Sequence, residues 1–146
     1  MRARLTVFCL LLAMAGCGHR STPEEQVRAV VAAAEQAAEA RDGRALSSLV
    51  ADDYHDGQER SADDVRRLLR ATLFAHQSIH LLVRIDDVSF QGTDLARVRA
   101  SIAMLGREAS GEAAWALAAD VYKIDVSLAR EDGDWRAVRA SWRRGP

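Results

Sequence analysis

The chain has 146 residues, 49% of them hydrophobic and 28% charged. That length and balance fit one globular domain whose core needs neither disulfides nor metal, and they exclude a disordered chain. Twenty basic residues stand against 21 acidic ones, a formal charge of −1, so the positive surplus that non-specific nucleic-acid binding requires is missing.

The amino terminus reads as an export signal. Arg2 and Arg4 form a basic start, and Leu5 to Ala15 is an uninterrupted apolar run that ends at Gly16, Cys17 and Gly18. The run is too short to span a bilayer, which takes about 20 apolar residues, but it has the length of a signal-peptide core. Met14-Ala15-Gly16-Cys17 resembles the bacterial lipobox, with methionine where leucine is usual. The resemblance implies cleavage before Cys17 and attachment of lipid to its thiol. Residues 1–16 are then the signal, 17–22 a lipidated tether and 23–146 the domain.

Cysteine usage agrees with this division. Cys9 lies in the segment to be removed, so Cys17 is left alone, and acylation accounts for a thiol that has no disulfide partner. Gly18 after the cysteine, in place of aspartate, implies sorting to the periplasmic face of the outer membrane. Three acyl chains exceed the two hydrophobic signals that stable anchoring takes.

Beyond the tether, Thr22, Pro23 and Glu25 make a helix start: a hydroxyl cap, proline in the first turn and a capping-box glutamate. Val27, Val30, Val31, Ala34 and Ala38 recur at helical spacing to about Arg41, an apolar stripe of small residues suited to packing on a sheet. Asp42-Gly43 breaks that helix, and a short one follows with Leu46, Leu49 and Val50 inward. Ala51 to Glu59 is polar and turn-rich, and its acids read as solvated or capping groups. Ser61 with Asp64 starts a third helix to about Ala75 that buries Val65, Leu68, Leu69, Leu73 and Phe74.

The period then changes from helical to two. Ile79, Leu81, Val83 and Ile85 alternate with His80, Leu82 and Arg84, and the phase slips at Asp86-Asp87 before Val88 and Phe90, which predicts a bulge. Gln91-Gly92 turns the chain into a strand carrying Val98, Ala100, Ile102 and Met104. Gly106 to Ala113 reads as a loop, and Trp115 to Arg130 as a long strand. Glu131-Asp132-Gly133-Asp134 is a hairpin turn into a last strand from Trp135 to Arg143. Three helices followed by four antiparallel strands in a meander predict an α+β fold, a strongly curved, cone-like sheet wrapping the amino-terminal helix.

The order of these elements resembles the nuclear-transport-factor-2-like (SnoaL-like, cystatin-like) superfamily from about Glu24 to Trp142. The residues that carry the resemblance are Glu39-Ala40-Arg41-Asp42, the stretch Leu46, Leu49 and Asp52-Asp53-Tyr54, and the ending Val126 to Val138 that closes on Trp142. It implies homodimerisation through the sheet, and it leaves function open, because the fold hosts isomerases, dehydratases, cyclases and non-catalytic binding or assembly domains.

Within that frame the expected function is a membrane-anchored binding or assembly domain without cofactor or metal. Its partner is a small apolar molecule in the cone or an envelope protein on the open sheet face, and Trp115 and Tyr122 are the candidate ligand contacts. The alternative is a small isomerase- or hydrolase-type enzyme, with Asp53 or Asp56 as base, Tyr54 or Tyr122 as phenolic donor and His55 beside them. The ketosteroid-isomerase pattern pairs a carboxylate base with a tyrosine donor, and the first helix has no tyrosine to supply it. His76 and His80 have the spacing of metal ligands on a helix, but Gln77-Ser78 lies where helix gives way to strand. The arginines Arg66, Arg67 and Arg70, and Arg97 with Arg99, read as solvated faces.

Replacement of the lipid acceptor tests the anchor. Cys17→Ser is expected to leave the protein soluble or unprocessed when membranes are fractionated. A fully processed variant that still sediments with the membrane would overturn the lipidation reading.

Overall fold

A computed structural model describes residues 21–108 and 118–145. Helix α1 spans Pro23–Glu39, α2 Gly43–Ser48 and α3 Ala62–Ala75; strand β1 spans His76–Gln91, β2 Leu95–Glu108, β3 Ala118–Glu131 and β4 Asp134–Arg144. The strands form one curled, unclosed antiparallel sheet in the order β1-β2-β3-β4. The expected α+β meander is therefore the observed one. Cys17 and Trp115 lie outside the described residues.

Local chemistry accounts for the element boundaries. Thr22 and Glu25 close a capping box on α1, and Ser61 and Asp64 close one on α3. The Asp42 carboxylate caps α2 by accepting from the Arg44 and Ala45 amides at 3.0 and 2.9 Å. In β1 the register with β2 slips between Ile85 and Asp87, the bulge that the change of phase predicted. Between β3 and β4 the turn is Asp132-Gly133, both at positive φ (50° and 93°), the conformation that a two-residue hairpin with the native strand twist demands.

Alternation along the strands puts Ala96, Val98, Ala100, Leu128 and Trp135 on the face that α1 covers, all of them buried. Val27 is fully buried at the centre of this cluster, with Val30, Val31, Ile85, Val88 and Val126 around it. Trp135 meets Phe90 edge to face at 6.1 Å, and its indole N–H donates to Gln26 Oε1 at 3.2 Å. The same Gln26 oxygen accepts from Arg130, whose guanidinium lies 5.0 Å from the Trp135 ring centre. A second cluster of Val50, Tyr54, Ala62 and Val65 packs α3 and the α2–α3 connection against Ala137 and Ala140 of β4.

Both sheet edges are partly covered. Along β4, the Ala137 amide donates to Leu49 O at 2.8 Å, and the Ala51 and His55 amides donate to Ala137 O and Val138 O at 2.9 and 3.1 Å. On β1, the Leu81 amide donates to the Glu39 carboxylate at 2.8 Å. Such contacts blunt an edge that would otherwise offer free backbone groups to another chain.

Three expectations need correction. Phe74 is 82% exposed and Leu68 40%: α3 lies on the sheet through Val65 and Leu73, so the neighbouring rows of its surface face solvent. The expected loop at Gly106 instead begins as strand, since β2 continues to Glu108 and pairs with β1 as far as His76. Arg66 is not a solvated helix arginine, because it donates to Val50 O and to Asp52, both at 2.7 Å, and so ties α3 to the preceding connection.

Trp135→Ala is expected to cost about 3–5 kcal/mol in urea unfolding, the usual range for emptying a buried aromatic site. Phe74→Ser should fall within about 0.5 kcal/mol of the parent, as exposed positions do. The reverse ranking would contradict this packing.

Candidate functional site

The polar stretch between α2 and α3 is where the expected chemistry falls, and the structure sorts its residues sharply. Asp53 and His55 are exposed, whereas Tyr54 and Asp56 are buried, at 3% and 4% exposure. A backbone bridge between His55 and Ser61 closes the segment into a tight loop with Glu59 at positive φ. Asp56 sits inside that loop. Its Oδ1 accepts from the Gln58 and Arg60 amides at 2.8 and 3.2 Å, and its Oδ2 from Arg60 Nε and the Tyr54 hydroxyl at 2.8 and 3.3 Å. The Arg60 guanidinium in turn lies over the Trp142 ring, 4.2 Å from its centre.

Both oxygens of Asp56 are thus filled by donors from the same loop. Burial opposes its charge, but the amides of Arg60 and Gln58 and the Arg60 guanidinium outweigh burial and hold the carboxyl below its usual range. Tyr54 is shifted the other way: burial first, then the adjacent Asp56 charge, pushes its phenol up to about 12. An ionised carboxylate with no vacant lone pair facing a cavity is a poor proton acceptor. The group clamps the α2–α3 connection against β4.

Tyr122 does not join this cluster. It lies on the inner face of β3, paired with Ile102 and Arg144, whereas the Tyr54 hydroxyl meets the backbone of Ala140. Four residues of β4 separate those positions, about 13 Å at strand rise. Of the proposed catalytic set, then, only Tyr54 and Asp56 come together. His76 has left helical geometry and its Nδ1 lies 2.8 Å from Thr72 O, while His80 is exposed on β1.

An open groove lies elsewhere. A groove of about 620 Å³ on the sheet is lined by Asp86, Arg99, Lys123, Asp125, Ser141 and Arg143, with Ala100, Ile124 and Trp142 between them along the strands. The pattern of single residues did not disclose this groove, although the period-two alternation places Arg99, Lys123, Asp125, Ser141 and Arg143 on the face opposite Val98, Ala100 and Leu128.

The shifts in the buried cluster set its pH response. Asp56 contributes stability above about pH 4, the carboxyl value of an unfolded chain, and that contribution is lost as pH falls below it. Asp56→Asn is expected to cost about 2–3 kcal/mol at neutral pH by breaking charge-assisted hydrogen bonds. The gap from wild type should narrow as pH falls below about 4; a gap that does not change with pH would contradict an ionised Asp56. On the alkaline side the folded chain keeps the Tyr54 proton that an unfolded chain releases near pH 10, so this contribution is lost between about pH 10 and 12. A tyrosinate absorbance titration should contain a late component that Tyr54→Phe removes.

No protein-family model matches the chain, and no curated protein matches it in sequence. Solved structures do resemble it. A candidate scytalone dehydratase from Novosphingobium aromaticivorans superposes with a TM-score of 0.72 at 12% identity, over 84% of each chain. A candidate dehydratase of the nuclear-transport-factor-2-like family from Streptomyces avermitilis gives 0.69 at 20% identity, over 86% of this chain and 99% of its own. A ketosteroid isomerase-like protein from Erwinia carotovora atroseptica gives 0.64 at 18% identity, over 86% of this chain and all (100%) of its own. At such identities the likeness is one of architecture, and the chain has the nuclear-transport-factor-2-like α+β fold.

Proposed function

We propose that the chain is a lipid-anchored binding or assembly domain of the bacterial envelope, held at the periplasmic face of the outer membrane through Cys17, and that it does no acid–base chemistry in the Asp53–Asp56 segment. One observation carries the non-catalytic part. The Asp56 carboxylate, buried next to a tyrosine in a fold whose solved neighbours include dehydratase and isomerase types, has both oxygens committed to Gln58, Arg60 and Tyr54. A base must offer a lone pair to its substrate, and this one is consumed by the loop itself.

The binding part is supported by a difference between the two ends of the inner face. Near the β3–β4 hairpin the wall is buried under α1, whereas Val83, Ile102, Met104, Tyr122 and Ile124 at the other end are only half-buried. Apolar side chains left partly exposed on a concave wall suit a small apolar ligand or the side chains of an envelope partner.

Native mass spectrometry of protein purified from its own membranes tests this reading. The expected spectrum shows the acylated chain with a bound apolar molecule or a stoichiometric partner protein. An acylated monomer carrying nothing would overturn it.

A further inference from the structure

The uncovered face of the sheet is charged unevenly. Arg84, Arg97, Arg99, Lys123, Arg136, Arg139 and Arg143 share it with Asp86, Asp87 and Asp125 along the strands and with Glu131 and Asp134 at the β3–β4 hairpin, in a chain whose overall charge is −1. The three acids along the strands already have arginines: Arg84 on Asp86 at 2.9 Å, Arg99 on Asp87 at 3.3 Å, and Arg97 on both oxygens of Asp125 at 2.8 and 2.6 Å. Lys123, Arg136, Arg139 and Arg143 make no direct ion pair there, although the Lys123 charge also acts on Asp86 at longer range.

Two of these four meet in the groove. Lys123 and Arg143 are directly opposite each other on β3 and β4, and both line the opening. Like charges at opposed strand positions destabilise a sheet, and no carboxylate makes a direct ion pair with either of them among the described residues. Lys123 Nζ donates to Ser101 Oγ at 2.8 Å, and that hydroxyl donates to Asp86 at 2.7 Å. This chain of bonds orients the ammonium and leaves it two further N–H donors. The Arg143 guanidinium has no ion-pair or hydrogen-bond partner among the described residues.

We infer that this groove binds a phosphate group, held between the Lys123 ammonium and the Arg143 guanidinium, with the Ser141 hydroxyl beside it. A phosphate offers several charged acceptor oxygens to two cationic donors at once, and it removes the repulsion that the empty pair carries. Asp86 and Asp125 also line the groove, where they pair with Arg84 and Arg97, and Asp86 further offsets part of the Lys123 charge. This site lies on the face opposite the apolar wall and does not depend on the lipid at Cys17. A second copy of the chain on this face would set one positive groove against another.

The phosphate could belong to a lipid headgroup or to a soluble phosphate ester, and two probes separate these sources. The full-length protein in a non-ionic detergent is titrated calorimetrically with inorganic phosphate and with dihexanoyl phosphatidylglycerol. Saturable binding of one or both is expected, weakening as ionic strength rises. A headgroup site binds the lipid about tenfold tighter than phosphate or better, and a soluble-ester site binds phosphate at least as well as the lipid.

Lys123→Gln with Arg143→Gln should weaken binding about tenfold or more, the loss of its charge-assisted contacts. Arg139→Gln, which removes an unmatched cation outside the groove, should leave it within about twofold. Matched thermal midpoints show that the double variant is folded; if they are not matched, Arg143→Gln alone is used in its place. Absence of saturable binding by either probe, undiminished binding in the folded double or single variant, or a homodimer that buries Lys123 and Arg143 would overturn the proposal.

Discussion

The contact of α1 with the hairpin end of the sheet governs the rest of the molecule. Val27 enters the space between Ala96, Val98, Leu128 and Trp135, and one residue earlier Gln26 receives the Trp135 indole and the Arg130 guanidinium. Apolar burial supplies the driving force, while the polar pair fixes how far along the sheet the helix sits and gives partners to the indole N–H and one guanidinium nitrogen next to that core, Arg130 Nε staying without one. With α1 set there, one face of the sheet is covered and the other is not, and each strand must carry two different chemistries on alternate residues.

Consequences follow for the covered side. A meander leaves β4 as an edge, and the α2–α3 connection lies along it through backbone hydrogen bonds. That connection would be a loose polar loop if Asp56 did not bind its own loop amides and Arg60 from a buried position. Burying a carboxylate is costly by itself, and the filled lone pairs offset that cost. The same saturation that makes Asp56 a good clamp makes it a poor catalyst. In this fold the presence of an acid and a tyrosine side by side is therefore no sign of acid–base chemistry until their hydrogen bonds have been counted.

On the uncovered side the same alternation collects charge. Arg97, Arg99, Lys123 and Asp125 are interleaved with the inner-face residues Val98, Ala100, Ile124 and Val126, so an apolar wall on one face and an open cationic groove on the other come from single strands. Three of the acids and three of the arginines neutralise one another there. What gives the face its character is the remaining cations, Lys123, Arg136, Arg139 and Arg143, and where they sit depends on strand register.

The sequence alone determined everything that depends on near neighbours. Capping boxes act over three residues, the Asp132-Gly133 turn over two, and the phase slip at Asp86 within one strand, so helix starts, the hairpin, the bulge and the order of the α+β elements were all legible. The expectation of an export signal and the lipobox resemblance at Cys17 also rest on residues close together in the chain. Tertiary structure decided what depends on residues far apart in the chain. Phe74 has the composition of a core residue and is exposed because of the angle at which α3 meets the sheet. Asp56 has the composition of a solvated turn and is buried because β4 and Trp142, some eighty residues later, close over its loop. Lys123 and Arg143 stand opposite each other only because the bulge between Ser127 and Leu128 sets that register, and a shift of one residue would have sent one of them to the other face.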